Sequence, residues 1–88
     1  MTTAHTPGEW LKVGTTVYAL NERGVNRFFC SVQDAHTPAA ELEANARLIA
    51  AAPDLLEALK RCRFDSLNMS LQDLEFCRAA FDKATGAA

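Results

Sequence analysis

Alternation between apolar and polar residues marks the first third of the chain. Thr16–Leu20 and Val25–Val32 follow the period of two that is typical of half-buried strands, and Trp10–Val13 is a shorter candidate. Between the two longer segments, Asn21–Gly24 fits a type I turn with its glycine in the left-handed conformation. These patterns predict a small antiparallel sheet of three strands, arranged as a meander or hairpin.

In the second half of the chain the apolar residues recur every three or four positions, which predicts helices. Thr37 is placed to cap a first helix that begins at Pro38, where a missing N–H costs nothing. Pro53 cannot lie inside that helix, because its ring would clash with the preceding turn. The first helix should therefore end near Ala52, and a second should open at Pro53 and fade near Arg63.

A third helix is predicted to begin at a capping box formed by Ser70 and Asp73, and Gly86 should end it. The helical wheel gives each helix one apolar face, which should be its buried face. The residues on these faces are Leu42, Ala46, Leu48, Ile49 and Ala52 in the first helix, Leu55, Leu56, Leu59 and Cys62 in the second, and Leu74, Cys77, Phe81 and Ala84 in the third.

Together these elements predict a single α+β domain over residues 1–88, with an N-terminal tail at 1–8, a sheet at 9–33 and a helical part at 38–85. Two to three α-helices would pack on one face of the sheet and leave the other face open. A chain of this length buries only about 60–65% of its unfolded surface, so we expect it to self-associate.

The third predicted strand carries aromatic residues on both of its sides. Alternation places Phe28 and Cys30 on one side and Arg27 and Phe29 on the other. Phe76 projects away from the apolar face of the third helix. Exposed aromatics in a small domain often mark a partner, although a wrap by the N-terminal tail would also cover them. We expect Phe29, Arg27 and Phe76 to contribute to an oligomer or partner interface.

Charge and hydropathy narrow the classes of partner. With 9 basic and 11 acidic residues, the net charge of −2 gives no global field that would hold duplex DNA or an anionic membrane. The longest apolar run, Leu48–Ala52, is far short of the roughly twenty residues that span a bilayer. No signal peptide is visible at the N-terminus. We expect a cytoplasmic protein without duplex nucleic acid or membrane as its partner.

The titratable residues give no convincing active site. His5 and His36 each precede Thr-Pro in predicted loops, without a cysteine or carboxylate at catalytic or metal-ligand spacing. Cys30, Cys62 and Cys77 form no CxxC pair and should be buried free thiols in a reducing compartment. We therefore expect no enzyme activity, no catalytic residue, no metal site and no cofactor.

Asn45 is the first of the candidate ligand-binding residues. It lies within the predicted apolar arc of the first helix, where a buried amide must find hydrogen-bond partners. One interpretation is that its side chain ties the helix to a strand or turn backbone of the same chain. The other is that it offers a donor and an acceptor to a ligand or a second subunit.

Arg61 and Arg63 belong to the only basic cluster of the sequence. Arg61 also suits an i,i+4 ion pair with Glu57, and cations at this position stabilise the negative end of a helix. If the helix ended earlier, both guanidinium groups would converge on one phosphate or carboxylate. Trp10 and Tyr18 would then add an aromatic surface on which a nucleotide base stacks.

Two motifs carry a resemblance to known proteins. His5–Trp10 reads HTPGEW, and Ala44–Leu59 reads ANARLIAAAPDLLEAL. The chain resembles a widespread family of short phage and prophage accessory proteins that read HTPGxW and ANARLIAAAPxLLEAL. Glu9 stands where the family often has proline, and Asp54 where glutamate is common. The resemblance covers about residues 5–60 and implies a protein that acts in the cytoplasm of the bacterial host, with no established catalytic residues to carry over.

The resemblance also suggests a role, since small phage accessory proteins commonly neutralise a host defence by binding. The predicted architecture is similar in outline to phage nucleotide sponges, which are oligomers with ligand at their subunit junctions. This implies a non-enzymatic homo-oligomer that sequesters a nucleotide signalling molecule. The alternative is a protein–protein inhibitor of a host defence protein such as a CRISPR complex. A phage regulatory or structural helper is the second alternative.

Overall fold

The computed structural model describes residues 5–62 and 69–86, and these form a three-stranded sheet followed by three helices. Arg63 and the path of residues 64–68 lie outside the described residues. The elements in chain order are β1 Leu11–Val13, β2 Thr16–Leu20, β3 Asn26–Ser31, α1 Ala39–Ala50, α2 Ala52–Cys62 and α3 Leu71–Thr85. The fold is α+β, as the sequence predicted.

The sheet is an antiparallel meander in the order β1-β2-β3. Asn21 organises the turn between β2 and β3, because its Oδ1 accepts hydrogen bonds from the backbone N–H groups of Arg23 and Val25. Gly24 follows with φ of 78°, a conformation that glycine adopts without strain. The register then shifts between Ala19 and Leu20, so that Arg27 is the extra residue of a β-bulge.

The start of α1 differs from the prediction. Pro38 is its N-cap and no side chain caps the helix, so the prediction of Thr37 as the cap was wrong. The Thr37 hydroxyl instead donates a hydrogen bond to the Asp34 carboxylate in the preceding loop. Because α1 begins after Pro38, the missing N–H of that proline leaves the helical hydrogen bonds intact.

One residue, Ala51, separates α1 from α2. Its N–H is accepted by the carbonyls of Arg47 and Leu48, and its own carbonyl accepts from Leu55 in the first turn of α2. Pro53 lies in that first turn, where proline needs no hydrogen-bond partner. The second helix was predicted to open at Pro53; it begins one residue earlier, at Ala52, with Pro53 in its first turn.

Both ends of α3 have the predicted caps. Ser70 Oγ accepts from the N–H of Asp73, and the Asp73 carboxylate accepts from the N–H of Ser70. Gly86 ends the helix in the left-handed conformation. A Cβ atom at Gly86 would lie 2.8 Å from Arg47 Nε, so the Arg47 side chain covers this end of α3.

The elements stack in layers on one face of the sheet. α1 packs against β1 and β2, and α3 packs against both α1 and α2. Ion pairs join these layers: Lys12 Nζ of β1 lies 3.8 Å from Glu43 of α1. Lys83 Nζ of α3 lies 2.9 Å from Asp54 of α2 and 3.7 Å from Glu9 ahead of β1.

Alanine dominates the buried interior. Val17 of β2 packs with Ala46 and Ala50 of α1, and the largest side chain that is fully buried among the described residues is Val17. Small side chains let α1 approach the sheet closely. The interior is therefore thin, and several larger apolar side chains remain at its edge or on the surface.

This packing corrects several predictions about helix faces. α1 meets the sheet along Ala46 and Ala50, which turns Asn45 and Leu48 to solvent. In α2, Ala58 is buried while Leu56 and Leu59 are about half exposed. Because alanines form the contacts, each of these helices is rotated relative to the orientation that would bury its largest apolar side chains.

No helix within 5–62 or 69–86 has the length and apolar character to cross a membrane.

Candidate binding surface

The face of the sheet that the helices leave uncovered carries a row of three large side chains. Leu11 of β1 pairs with Tyr18 of β2, and Tyr18 pairs with Phe29 of β3. Directly paired residues lie side by side on the same face of an antiparallel sheet. Phe29 is 63% exposed, while Leu11 and Tyr18 are half-buried. We call this row, Leu11–Tyr18–Phe29, the open-face row.

Smaller and polar residues border the open-face row. Val13 pairs with Thr16 and Thr16 with Ser31 on one side of the row, and Val13 is 65% exposed. Leu20 and Arg27 lie on the other side, next to the turn between β2 and β3. An exposed apolar centre with a polar rim is the usual composition of a protein-binding patch.

Arg27 projects from the β-bulge at the rim of this surface. It lines a shallow hollow of about 230 Å³ together with Asn21, Glu22 and Arg23. A second hollow of about 310 Å³ continues past Leu20 toward the N-terminal segment. Both hollows are small and open; the first is lined by polar side chains, and the second also by Pro7 and Leu20. The rim therefore offers charge and hydrogen bonds at an edge rather than an enclosed cavity.

Trp10 lies on the opposite side of the sheet from Tyr18. Its ring packs on Phe28 with the centroids 4.7 Å apart, and its Nε1 donates a hydrogen bond of 3.1 Å to the Thr6 carbonyl. Trp10 also packs against the buried core. The structure thus separates two residues that were expected to share one stacking surface. The alternation of side chains along a strand could have predicted this separation. Trp10 and Leu11 are consecutive and must point to opposite faces, and Leu11 shares its face with Tyr18.

Arg61 is held between α2 and α3. Its Nε lies 3.2 Å from Glu57 Oε2, and its Nη1 lies 3.8 Å from Asp73 Oδ1. Its guanidinium carbon stands 4.0 Å from the centroid of the Phe76 ring, which is a cation–π distance. The predicted Glu57–Arg61 pair is present, and Arg61 also contacts Asp73 and Phe76 of α3.

These contacts change the interpretation of two candidate residues. Phe76 is half-buried beneath Arg61, so the expectation that its ring is free on the surface was wrong. Arg61 is partly satisfied by Glu57 and Asp73 within the chain. The predicted convergence of Arg61 with Arg63 involves a residue outside the described part of the chain.

Asn45 is exposed on α1. The prediction that its amide is buried was therefore wrong, because α1 contacts the sheet along Ala46 and Ala50 and Asn45 falls on the flank of that contact. Among the described residues, Asn45 makes no side-chain hydrogen bond or ion pair with Arg61 or with the open-face row.

Two of the three cysteines meet across the helical layer. Cys62 Sγ of α2 lies 3.9 Å from Cys77 Sγ of α3, and Cys77 Sγ lies 3.6 Å from the Ala58 carbonyl. Burial raises the pKa of the Cys77 thiol above its usual value; the neighbouring Cys62 and Asp73 add to the rise, and the Arg61 guanidinium opposes it. In the described ranges no three metal-ligating side chains come together.

A family model for Salmonella phage P22 protein Y8K6 matches residues 1–88, the whole chain. The chain belongs to this phage protein family. No curated protein and no solved structure matches the chain.

In this member of the phage family, sequence reasoning missed one further apolar surface. Leu71, Leu74 and Phe81 of α3 are 72%, 52% and 62% exposed, although Leu74 and Phe81 were predicted to be buried. α3 buries Ala80, with Cys77 and Ala84 beside it. The cluster of small residues Cys77, Ala80 and Ala84 could have indicated the buried side of α3, because small side chains permit closer contact between helices.

Proposed function

We propose that this phage protein acts without catalysis, by binding a host defence protein through the open sheet face. The observation that supports this most strongly is the open-face row, Leu11–Tyr18–Phe29, which stands in register across all three strands. Aromatic side chains are enriched at protein–protein hot spots, because they bury large areas at a small cost in side-chain entropy.

The shape of the surface favours a protein over a small molecule. Small ligands are usually held in concave pockets that bury most of their surface. The hollows beside the open-face row are shallow and open, whereas Phe29 of the row and Val13 at its border are exposed. Arg27 at the rim would add a charged contact that orients the partner and speeds its association.

Membership of a phage protein family supports the cellular part of the proposal. We place the chain in the cytoplasm of the infected host, where defence effectors are available targets. Interference by binding also needs no catalytic group. The carboxylates of Asp54, Glu57 and Asp73 are already engaged by lysine or arginine side chains, which agrees with a structural role for them.

Affinity capture with matched variants tests the proposal. The wild-type chain, a Tyr18→Ser/Phe29→Ser variant and a Leu48→Ser control would each be used as bait in lysate from a host that carries defence systems. Leu48 is 53% exposed on α1, so its variant removes a similar surface side chain away from the sheet. We expect one stoichiometric partner that the wild type and the control retain and the double variant loses.

The same variants should be compared in infection assays. Phage that encode the wild type or the Leu48→Ser control should plate efficiently on the defended host, and phage with the double variant should not. Equal plating by all three on the defended host, together with capture of the same partner by the double variant, would contradict the role of the open sheet face.

A second candidate function is sequestration of a nucleotide signal, which the aromatic side chains on the same face support. Tyr18 and Phe29 are adjacent and offer ring surface for base stacking, with Arg27 nearby as a phosphate partner. A site built on Arg61 would require the guanidinium to leave Glu57 and Asp73.

Thermal shift with a panel of cyclic nucleotides distinguishes these versions. A stabilised protein whose shift disappears in Arg27→Ala supports a site on the sheet, and one whose shift disappears in Arg61→Ala supports a site between the helices. No shift with any nucleotide of the panel would eliminate sequestration.

A further inference from the structure

The exposed apolar residues of α3 follow the spacing of a helix-pairing seam. Leu71, Leu74, Arg78 and Phe81 are separated by three, four and three residues, which is the a and d spacing of a heptad repeat. Leu71, Leu74 and Phe81 are each more than half exposed, and Arg78 is also on the surface. We call these four residues the α3 stripe.

We propose that a second copy of this chain covers the α3 stripe, with the two α3 helices antiparallel about a twofold axis that passes midway between Leu74 and Arg78. Such an isologous contact uses the same patch on both subunits, so the patch must be complementary to itself. The proposal is independent of the function assigned to the open sheet face, because the stripe lies on a helix that packs on the other side of the fold.

Antiparallel pairing places each large side chain opposite a complementary packing site on the second copy. An axis midway between Leu74 and Arg78 sets Phe81 of one copy opposite Leu71 of the other. Leu71, Leu74, Glu75 and Arg78 line a hollow of about 210 Å³ on this surface. The Phe81 ring is 62% exposed and unusually large for a surface position, and this hollow would receive it from the second copy.

The charges on the stripe select the antiparallel orientation. Arg78 would lie opposite Leu74 of the second copy and beside its Glu75. Neither Glu75 nor Arg78 has an ion pair with any of the described residues. The twofold axis forms two identical Arg78–Glu75 pairs between the copies. A parallel dimer would instead place Arg78 against Arg78, which like-charge repulsion disfavours.

Sedimentation equilibrium of the full chain tests the dimer. At about 100 µM, where a complex with a micromolar Kd is almost fully formed, we expect twice the chain mass of 9.6 kDa. Arg78→Glu should weaken the dimer by about tenfold or more, because it places like charges together at two symmetric positions. A monomeric wild type at this concentration would overturn the proposal.

Charge exchange provides the sharper test. Glu75→Arg/Arg78→Glu restores opposite charges across the antiparallel axis and should recover most of the lost affinity. Phe81→Glu should abolish the dimer, and the control Leu48→Glu on α1 should leave it intact. Circular dichroism confirms that each variant is helical. A dimer that survives Phe81→Glu, or a charge exchange without recovery, would refute this interface.

Discussion

At the residue scale, Arg61 shows why a basic side chain in a small protein is not necessarily free for a ligand. It lies 3.2 Å from Glu57, 3.8 Å from Asp73 and 4.0 Å above the Phe76 ring. Its side chain remains 34% exposed, so solvent weakens both ion pairs. The contacts fix the position of α2 against α3 more than they strengthen either helix.

Replacement of Arg61 should therefore lower stability by a modest amount. Arg61→Ala should reduce the free energy of unfolding by about 1 kcal/mol, from the lost stacking and two partly screened ion pairs. Arg61→Lys keeps the charge but loses the planar stack, so we expect roughly half that loss. Urea denaturation measures both, with Arg23→Ala in the exposed turn between β2 and β3 as the control. Unchanged stability in Arg61→Ala would contradict a stabilising role for these contacts.

Cys77 should react slowly with alkylating agents. Its raised pKa leaves less thiolate at neutral pH, and the thiolate is the nucleophile. Iodoacetamide labelling followed by mass spectrometry should give a half-maximal rate at Cys77 above the ordinary pH for a cysteine. The folded pKa is raised, so the stability linked to this thiol is present below the unfolded pKa and is lost as pH rises through the folded value. Labelling of Cys77 at an ordinary or lower pH would contradict this.

At the element scale, local signals predicted most of the fold. The turn at Asn21–Gly24, the start of α2 beside Pro53 and the Ser70 capping box all depend on neighbours within a few residues. Helix orientation could not be predicted in the same way, because it depends on which side chains permit close approach between layers. The largest apolar residues defined the predicted faces, whereas alanines such as Ala46 and Ala80 form the actual contacts.

The contact between α1 and the sheet should not tolerate a larger residue at its centre. Ala46 is fully buried against Val17, so Ala46→Leu should reduce the free energy of unfolding by about 1–3 kcal/mol through overpacking. Ala44→Leu on the exposed side of the same helix is the matched control and should have little effect. Thermal or urea unfolding gives both values. A harmless Ala46→Leu would show that α1 lies farther from the sheet.

At the scale of the whole molecule, a small buried interior is combined with large exposed surfaces on two sides. The sheet presents the open-face row, and α3 presents the α3 stripe. The candidate site was only partly predictable. Alternation identified Phe29, but the contacts that hold Arg61 and cover Phe76 arise between helices that are distant in sequence, and no local pattern reports such contacts.

A molecule of this kind should gain stability from association. If dimer formation buries the α3 stripe, the melting temperature should rise with protein concentration, because association shifts unfolding by mass action. Scanning calorimetry over roughly a hundredfold range of concentration would measure this effect. Phe81→Glu should remove the concentration dependence, while Leu48→Glu should keep it. A wild-type melting temperature that does not change with concentration would contradict association.

The packing of α2 on α3 also has a consequence for biosynthesis. The sheet and α1 have their mutual contacts within the first 50 residues, but Ala58 and Cys62 of α2 face a helix that the ribosome makes later. During translation the nascent chain therefore carries a sheet already packed on α1 and an α2 whose inner side is uncovered. A pause before α3 emerges would leave that side open to chaperones and proteases.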